Sequence, residues 1–69
     1  MEVFAERLRK LRTEAGESRD TLGKVLGVSV SQINEMENGR KGTTLERLVI
    51  LCQHYHVSAD YLLGLSDSK

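Results

Sequence analysis

Ser31, Asn34, Glu35 and Asn38 fall on one side of a helical wheel, and Ile33 and Met36 fall on the other. At about 100° per residue, Val30 to Asn38 reads as a short helix buried along Ile33 and Met36, with Val30 and Glu37 at its edge. The opposite face is polar and mostly uncharged. Its hydroxyl, amide and carboxylate groups are the donors and acceptors that pair with base edges in a nucleic-acid groove. Glu35 can accept from a cytosine amino group, and Val30 can meet a thymine methyl. Gln32, on the flank, is placed to reach a base or a phosphate. A helix that only solubilises more often carries several Lys and Glu on its outer face. A plain surface helix is the alternative reading.

Such a helix works only if the chain before it holds it proud of the surface. Leu22, Val25 and Leu26 recur at helical spacing from about Arg19, with Ser18 as N-cap, and Gly27 breaks the pattern. Ser29 then caps the second helix, which Asn38-Gly39 stops. Two short helices joined through a glycine turn, spanning about residues 18–39, make a helix-turn-helix, an arrangement that offers its second helix to the major groove. Asp20 suits the positive end of the first helix, with Lys24 one turn on. Arg19 at that same end is unfavourable for the helix dipole and makes sense with a phosphate between it and the backbone amides. The basic loop Arg40-Lys41-Gly42 beside the second helix is suited to a backbone phosphate.

The remaining segments read as scaffold. Phe4, Leu8, Leu11 and Ala15 line one stripe of a helix over Glu2 to Ala15, closed by Gly16. Arg7, Arg9, Lys10 and Arg12 on that helix form either a phosphate-facing cluster or a solvated face. Thr43 and Glu46 have capping-box spacing, opening a helix over Thr44 to Tyr55 with Leu45, Leu48, Leu51, Cys52 and Tyr55 as its stripe. Val49 and Ile50 fall outside that stripe. Ser58 caps a last short helix carrying Ala59, Tyr61 and Leu62, ended by Gly64. The expectation is one all-α domain over residues 1–69, a compact five-helix bundle.

Composition limits what else the chain can be. Its 69 residues make one small domain, and a domain of this size buries only about 60% of its unfolded surface. With one cysteine, Cys52, no internal disulfide forms, and a reducing cytoplasmic setting is expected. No signal peptide or membrane-spanning run is read. Ten basic and ten acidic residues cancel, so any attraction for nucleic acid must come from the distribution of charge. Cys52 and His56 have a spacing that can hold a metal, but Cys52 lies on the buried stripe and His54 and His56 suit a helix C-terminus. No metal or cofactor is expected. Neither a nucleophile constellation nor a phosphate-cradling loop is present, so no enzyme and no small-molecule substrate is expected.

The motifs Phe4-x3-Leu8-x2-Leu11-Arg12, Gly16-x-Ser18, Leu22-x3-Leu26-Gly27-Val28-Ser29, Ile33, Glu37-Asn38-Gly39 and Val57-Ser58-x-Asp60-Tyr61-Leu62-Leu63-Gly64 occur in order. Together they resemble the Cro/repressor helix-turn-helix family of XRE-type regulators, from Phe4 to about Leu65. The resemblance implies a lambda-repressor-like bundle and a regulator of transcription, most simply a repressor. It implies a structural ion pair between Arg12 and Glu37. Val30, Ser31 and Glu35 match base-reading positions, with Gln32 and Asn34 beside them on the wheel. Asn38, Arg40 and Lys41 match phosphate-contacting positions, and Arg19 stands where glutamine usually contacts a phosphate or another reading side chain. The partners implied are double-stranded DNA with an inverted-repeat operator and a second copy of the chain. The segment from Val57 to Leu65 is expected at the dimer surface.

The departures are specific. Gly23 replaces a small alanine, which lowers helix stability but allows close approach; His56 replaces a closing glycine; a proline after the Glu37-Asn38-Gly39 turn is missing; and Glu35 is an acid on the reading face. With zero net charge and the apolar Val25, Val49 and Ile50, these keep a rival open. That rival is a protein-interaction module of the same fold, antitoxin- or assembly-factor-like, with weak or no DNA binding.

Overall fold

Four hydroxyl side chains set where four helices begin. Ser18, Ser29, Thr44 and Ser58 each accept from the backbone amide three residues on, at Thr21, Gln32, Arg47 and Tyr61. Each satisfies one of the donors a helix N-terminus leaves without an intrahelical partner, worth about 1 kcal/mol per cap. The structure, a computed structural model, describes residues 2–69; Met1 of the expected domain lies outside them. Its elements are α1 (Glu2–Glu14), α2 (Arg19–Leu26), α3 (Val30–Glu37), α4 (Leu45–Tyr55) and α5 (Ala59–Leu63). The fold is all-helical among the described residues, as the periodicity predicts. Among the described residues no helix is long and apolar enough to cross a membrane.

Every element contributes a fully enclosed side chain to one core: Phe4 and Leu8 from α1, Leu22 from α2, Ile33 from α3, Leu51 from α4 and Leu62 from α5. Burying a side chain of this size contributes about 1.5–3 kcal/mol, and this core carries the stability that short helices lack alone. α3 rests on α2 and α1, while α4 packs on α2 and α5, and α5 returns to α1. The second helix of the pair is thereby seated on its two N-terminal neighbours with its remaining surface turned outward.

Several expectations shift by a turn or a residue. α1 ends at Glu14, and Ala15 is exposed, whereas Ala5 is buried. Asn38 is the cap of α3 rather than its last residue. Thr44 caps α4 in place of Thr43, whose Oγ1 is buried with no hydrogen-bond partner. Leu45, expected in the core, is 81% exposed, because it is the first residue of its helix and the stripe begins one turn later at Leu48. Val25 packs half-buried against the core, while Val49 and Ile50 are exposed.

Candidate nucleic-acid interface

The turn between α2 and α3 is built by two glycines. Gly27 takes φ 69°, a left-handed conformation that glycine adopts without a side-chain clash, and its N–H returns to the Gly23 carbonyl. Val28 N–H donates to that same carbonyl at 2.9 Å. Gly23 is needed for space: a Cβ there would lie 2.8 Å from the Val28 carbonyl oxygen and 3.8 Å from Ile33. The close approach that the glycine permits is therefore mainly to the turn, with α3 next behind it.

At the start of α3, Ser29 and Gln32 form a reciprocal capping box: Gln32 N–H donates to Ser29 Oγ (3.1 Å) and Ser29 N–H to Gln32 Oε1 (3.3 Å). Gln32, expected at a base or phosphate, is half-buried and has its carbonyl oxygen committed to this cap. Only its amide N–H groups remain for a ligand.

At the far end of α3, Glu37 is buried and meets two arginines. Arg12 donates from Nε to Oε2 (2.6 Å) and from Nη2 to Oε1 (3.2 Å), and Arg19 Nε donates to Oε1 at 3.1 Å. The Glu37 hydrogen bond, ahead of its charge, outweighs burial and raises the Arg12 guanidinium above its ordinary value. Two guanidinium groups thus share one buried carboxylate. Arg19 is the half-exposed one of the two, its side chain 40% accessible. Its Nε is held by Glu37, leaving the guanidinium's other donors for a phosphate.

Ser31 and Asn34 are exposed, Val30 is 41% exposed, and Glu35 is half-buried. These four share the outward side of α3, and Asn38 extends it at the cap. Arg40 and Lys41 are exposed in the following loop, and both their backbone N–H groups donate to the Glu35 carbonyl, at 3.0 and 3.3 Å. The basic loop is thereby fastened to the end of α3. Neither Arg40 nor Lys41 is spent on an internal ion pair among those described.

Two arrangements escape sequence reasoning. Arg7 is not a phosphate-facing cation: it donates to the carbonyls of Tyr61 and Ser66 and to Asp67 (2.8 Å), and stacks over the Tyr61 ring. Arg12, in the same expected cluster, is buried. Glu17 receives the Tyr55 hydroxyl at 2.6 Å and pairs with His54, both from α4. Burial, followed by the Glu17 hydrogen bond, pushes the Tyr55 phenol far up. Local spacing carries no signal for contacts of this kind. Among the described residues no group of three His, Cys, Asp or Glu side chains is arranged to hold a metal.

A family model described as "Helix-turn-helix domain" matches residues 3–65. The chain belongs to the helix-turn-helix domain family. This helix-turn-helix domain is 36% identical over 63 residues to the HTH-type transcriptional regulator PrpR of Mycobacterium tuberculosis, covering 91% of this chain and 13% of that protein. It is 37% identical over 65 residues to the HTH-type transcriptional regulator YobD of Bacillus subtilis, covering 94% of this chain and 58% of that one. The chain thus spans only part of the length of both curated relatives. Among solved structures, the P22 c2 repressor in complex with a synthetic operator superposes with a TM-score of 0.79 at 32% identity, over 86% of this chain and 89% of that chain. The five-helix repressor-type fold and the family resemblance read from the motifs both hold.

Proposed function

We propose that this domain regulates transcription by binding a specific DNA sequence through the major groove, most simply as a repressor that occupies its operator. The observation that carries the reading is the solvent-facing row Val30, Ser31, Asn34 and Glu35 on a helix braced from behind by Glu37. Ser31, Asn34 and Glu35 read base edges, Val30 meets a thymine methyl, and the Gln32 amide reaches a flanking base. Arg19, Asn38, Arg40 and Lys41 hold phosphates and so fix register without reading sequence. The relatives named as transcriptional regulators and the operator-bound repressor of like fold support the same reading. A lone domain of this size covers little DNA. The domain therefore acts as a homodimer on an inverted repeat, in the cytoplasm, with half-sites about one helical turn apart. The dimer surface lies within Val57 to Leu65, on exposed Leu63 at the end of α5 and Leu65 beyond it, since Val57, Tyr61 and Leu62 of that segment are buried in the domain's own core. It works without a cofactor and catalyses no reaction.

The test is selection of bound duplexes from a random pool near physiological salt, followed by salt titration of the enriched duplex. A steep linear fall of log affinity with log salt and a recurrent half-site are expected. Binding insensitive to salt, or no enriched sequence, favours the protein-docking rival, for which exposed Leu45, Val49 and Ile50 on α4 would be the surface.

A further inference from the structure

The residues that face DNA in this reading lie on α3, yet the chain of polar contacts behind them starts on α4. Glu17, in the turn between α1 and α2, accepts the Tyr55 hydroxyl on Oε1 (2.6 Å) and meets His54 Nε2 on Oε2. The two rings sit edge to face with centroids 4.7 Å apart, and the carboxylate that both reach is largely enclosed. The same residue's main-chain carbonyl accepts from Arg12 Nη1 at 2.8 Å, and its N–H donates to the Arg12 carbonyl at 3.1 Å. Arg12 then holds Glu37, the last residue of α3, and Glu37 holds Arg19. One continuous path runs from Tyr55 and His54 through Glu17 and Arg12 to both ends of the DNA-facing pair.

We infer that Glu17 is a positioning residue for the reading helix: by locking the α1–α2 turn to α4 it aims the Arg12 guanidinium, and through it Glu37 and Arg19. The inference rests on the DNA-binding reading for its effect on affinity, but not for its effect on α3. An ion pair buried behind a short helix has more than one stable arrangement unless its donor is itself held. Three of the Arg12 donors have fixed acceptors, and the one directed to the Glu17 carbonyl is fixed only if that turn is. None of the hydrogen bonds, ion pairs or ring contacts of Glu17, His54 and Tyr55 among the described residues goes to an exposed α3 side chain. Losing these contacts therefore changes the geometry of the reading face without removing a DNA contact.

The experiment compares wild type, Glu17→Ala, Glu17→Gln and Tyr55→Phe in two arms, each at a temperature where the variant is fully folded. In the DNA-free arm, amide chemical shifts and hydrogen exchange are recorded along the whole chain. Glu17→Ala and Tyr55→Phe are expected to move the amides of Met36, Glu37 and Arg19 while those of Phe4 to Leu8 stay in place, and Glu17→Gln, which keeps an acceptor for Tyr55, restores part of the difference. In the second arm, affinity for the duplex enriched from the random pool falls about fivefold in Glu17→Ala, a size typical of coupling through a packed network. Its salt slope falls by less than 1, because Arg19 is displaced rather than removed. In a Glu37→Gln background the Glu17→Ala effect shrinks below twofold. Unmoved α3 amides in Glu17→Ala, a uniform change along the chain, or independent multiplication of the Glu17 and Glu37 effects overturns the inference. If wild type enriches no duplex, the DNA-binding reading fails while the α3 amides still decide this one.

Discussion

Arg12 and Glu37, twenty-five residues apart, meet in a two-point pair in which the arginine side chain is 9% exposed and the carboxylate 2%. A buried pair of this kind contributes little relative to apolar residues of the same volume, but losing one partner strands the other without water. It joins α1 to the last residue of α3 at two points.

Glu37→Leu alone is therefore expected to destabilise by about 3–5 kcal/mol. For 69 residues the total stability is about 3–10 kcal/mol, so this variant is largely unfolded in mild urea. Arg12→Met with Glu37→Leu together is expected to recover most of the loss, since no charge is then left buried. Urea midpoints of the two single variants and the double decide it. A double variant as weak as the sum of the singles would rule this out.

Tyr55 gives a pH dependence on the alkaline side. Burial first, and the Glu17 hydrogen bond second, raise its phenol above the ordinary value of 10.0. The unfolded chain ionises at that ordinary value and the folded chain resists. The contribution to stability is thus complete below about pH 10 and is lost progressively as pH rises beyond it. Tyr55→Phe lacks the titration, so the stability gap between wild type and variant is expected to narrow from about pH 9 to 11. A gap constant across that range would show that the phenol is not held neutral by the fold.

How much of this was legible follows from what spacing can encode. The helices, three of the four hydroxyl caps and the outward face of α3 are local patterns, and each is where periodicity predicts it. Leu45 shows the limit: a helical wheel gives the direction of a side chain around the cylinder but not where along it the neighbouring helix stops. Adjacent Thr43 and Thr44 offer two cap registers that the sequence does not separate. Glu17 lies thirty-seven residues from His54, and Arg7 fifty-four from Tyr61. Nothing local marks either as a hub: Glu17 carries no signal of its own, and Arg7 reads only as part of a basic cluster that is either phosphate-facing or solvated. Gln32 was readable as a capping residue from its place three after Ser29, a signal outweighed by its place on the wheel.

The two unusual backbone positions are expected to respond in opposite ways. Gly23→Ala gains up to about 1 kcal/mol of helix propensity, but its Cβ meets a carbonyl oxygen at 2.8 Å that cannot swing away. A net loss of stability is expected. His56 sits at φ 56°, exposed at the end of α4, in the left-handed region that costs a non-glycine residue about 1–2 kcal/mol. His56→Gly relieves this but frees the unfolded chain, leaving a gain of about 0.5–1 kcal/mol. Thermal midpoints should move down for the first and up for the second. A stabilised Gly23→Ala would mean that the turn yields at Val28.

If the proposed function holds, the loop and the outward face of α3 should separate in a DNA titration, because the proposal gives the loop the phosphates and the face the bases. Lys41→Ala is expected to weaken the enriched duplex and unrelated duplexes alike and to reduce the salt slope by about 1. Arg40→Ala should behave in the same way, since both residues hang from the Glu35 carbonyl at the same end of α3. Glu35→Gln is the contrasting case. Its carboxylate can accept from a cytosine amino group but repels nearby phosphates, whereas an amide pairs more naturally with adenine. The variant is therefore expected to bind unrelated DNA somewhat more tightly while shifting preference at one base pair by about 1–3 kcal/mol. Repeating the selection with Glu35→Gln shows whether one position of the half-site changes. An unchanged half-site would remove Glu35 from the reading face and leave Ser31, Asn34 and Val30 to carry the specificity.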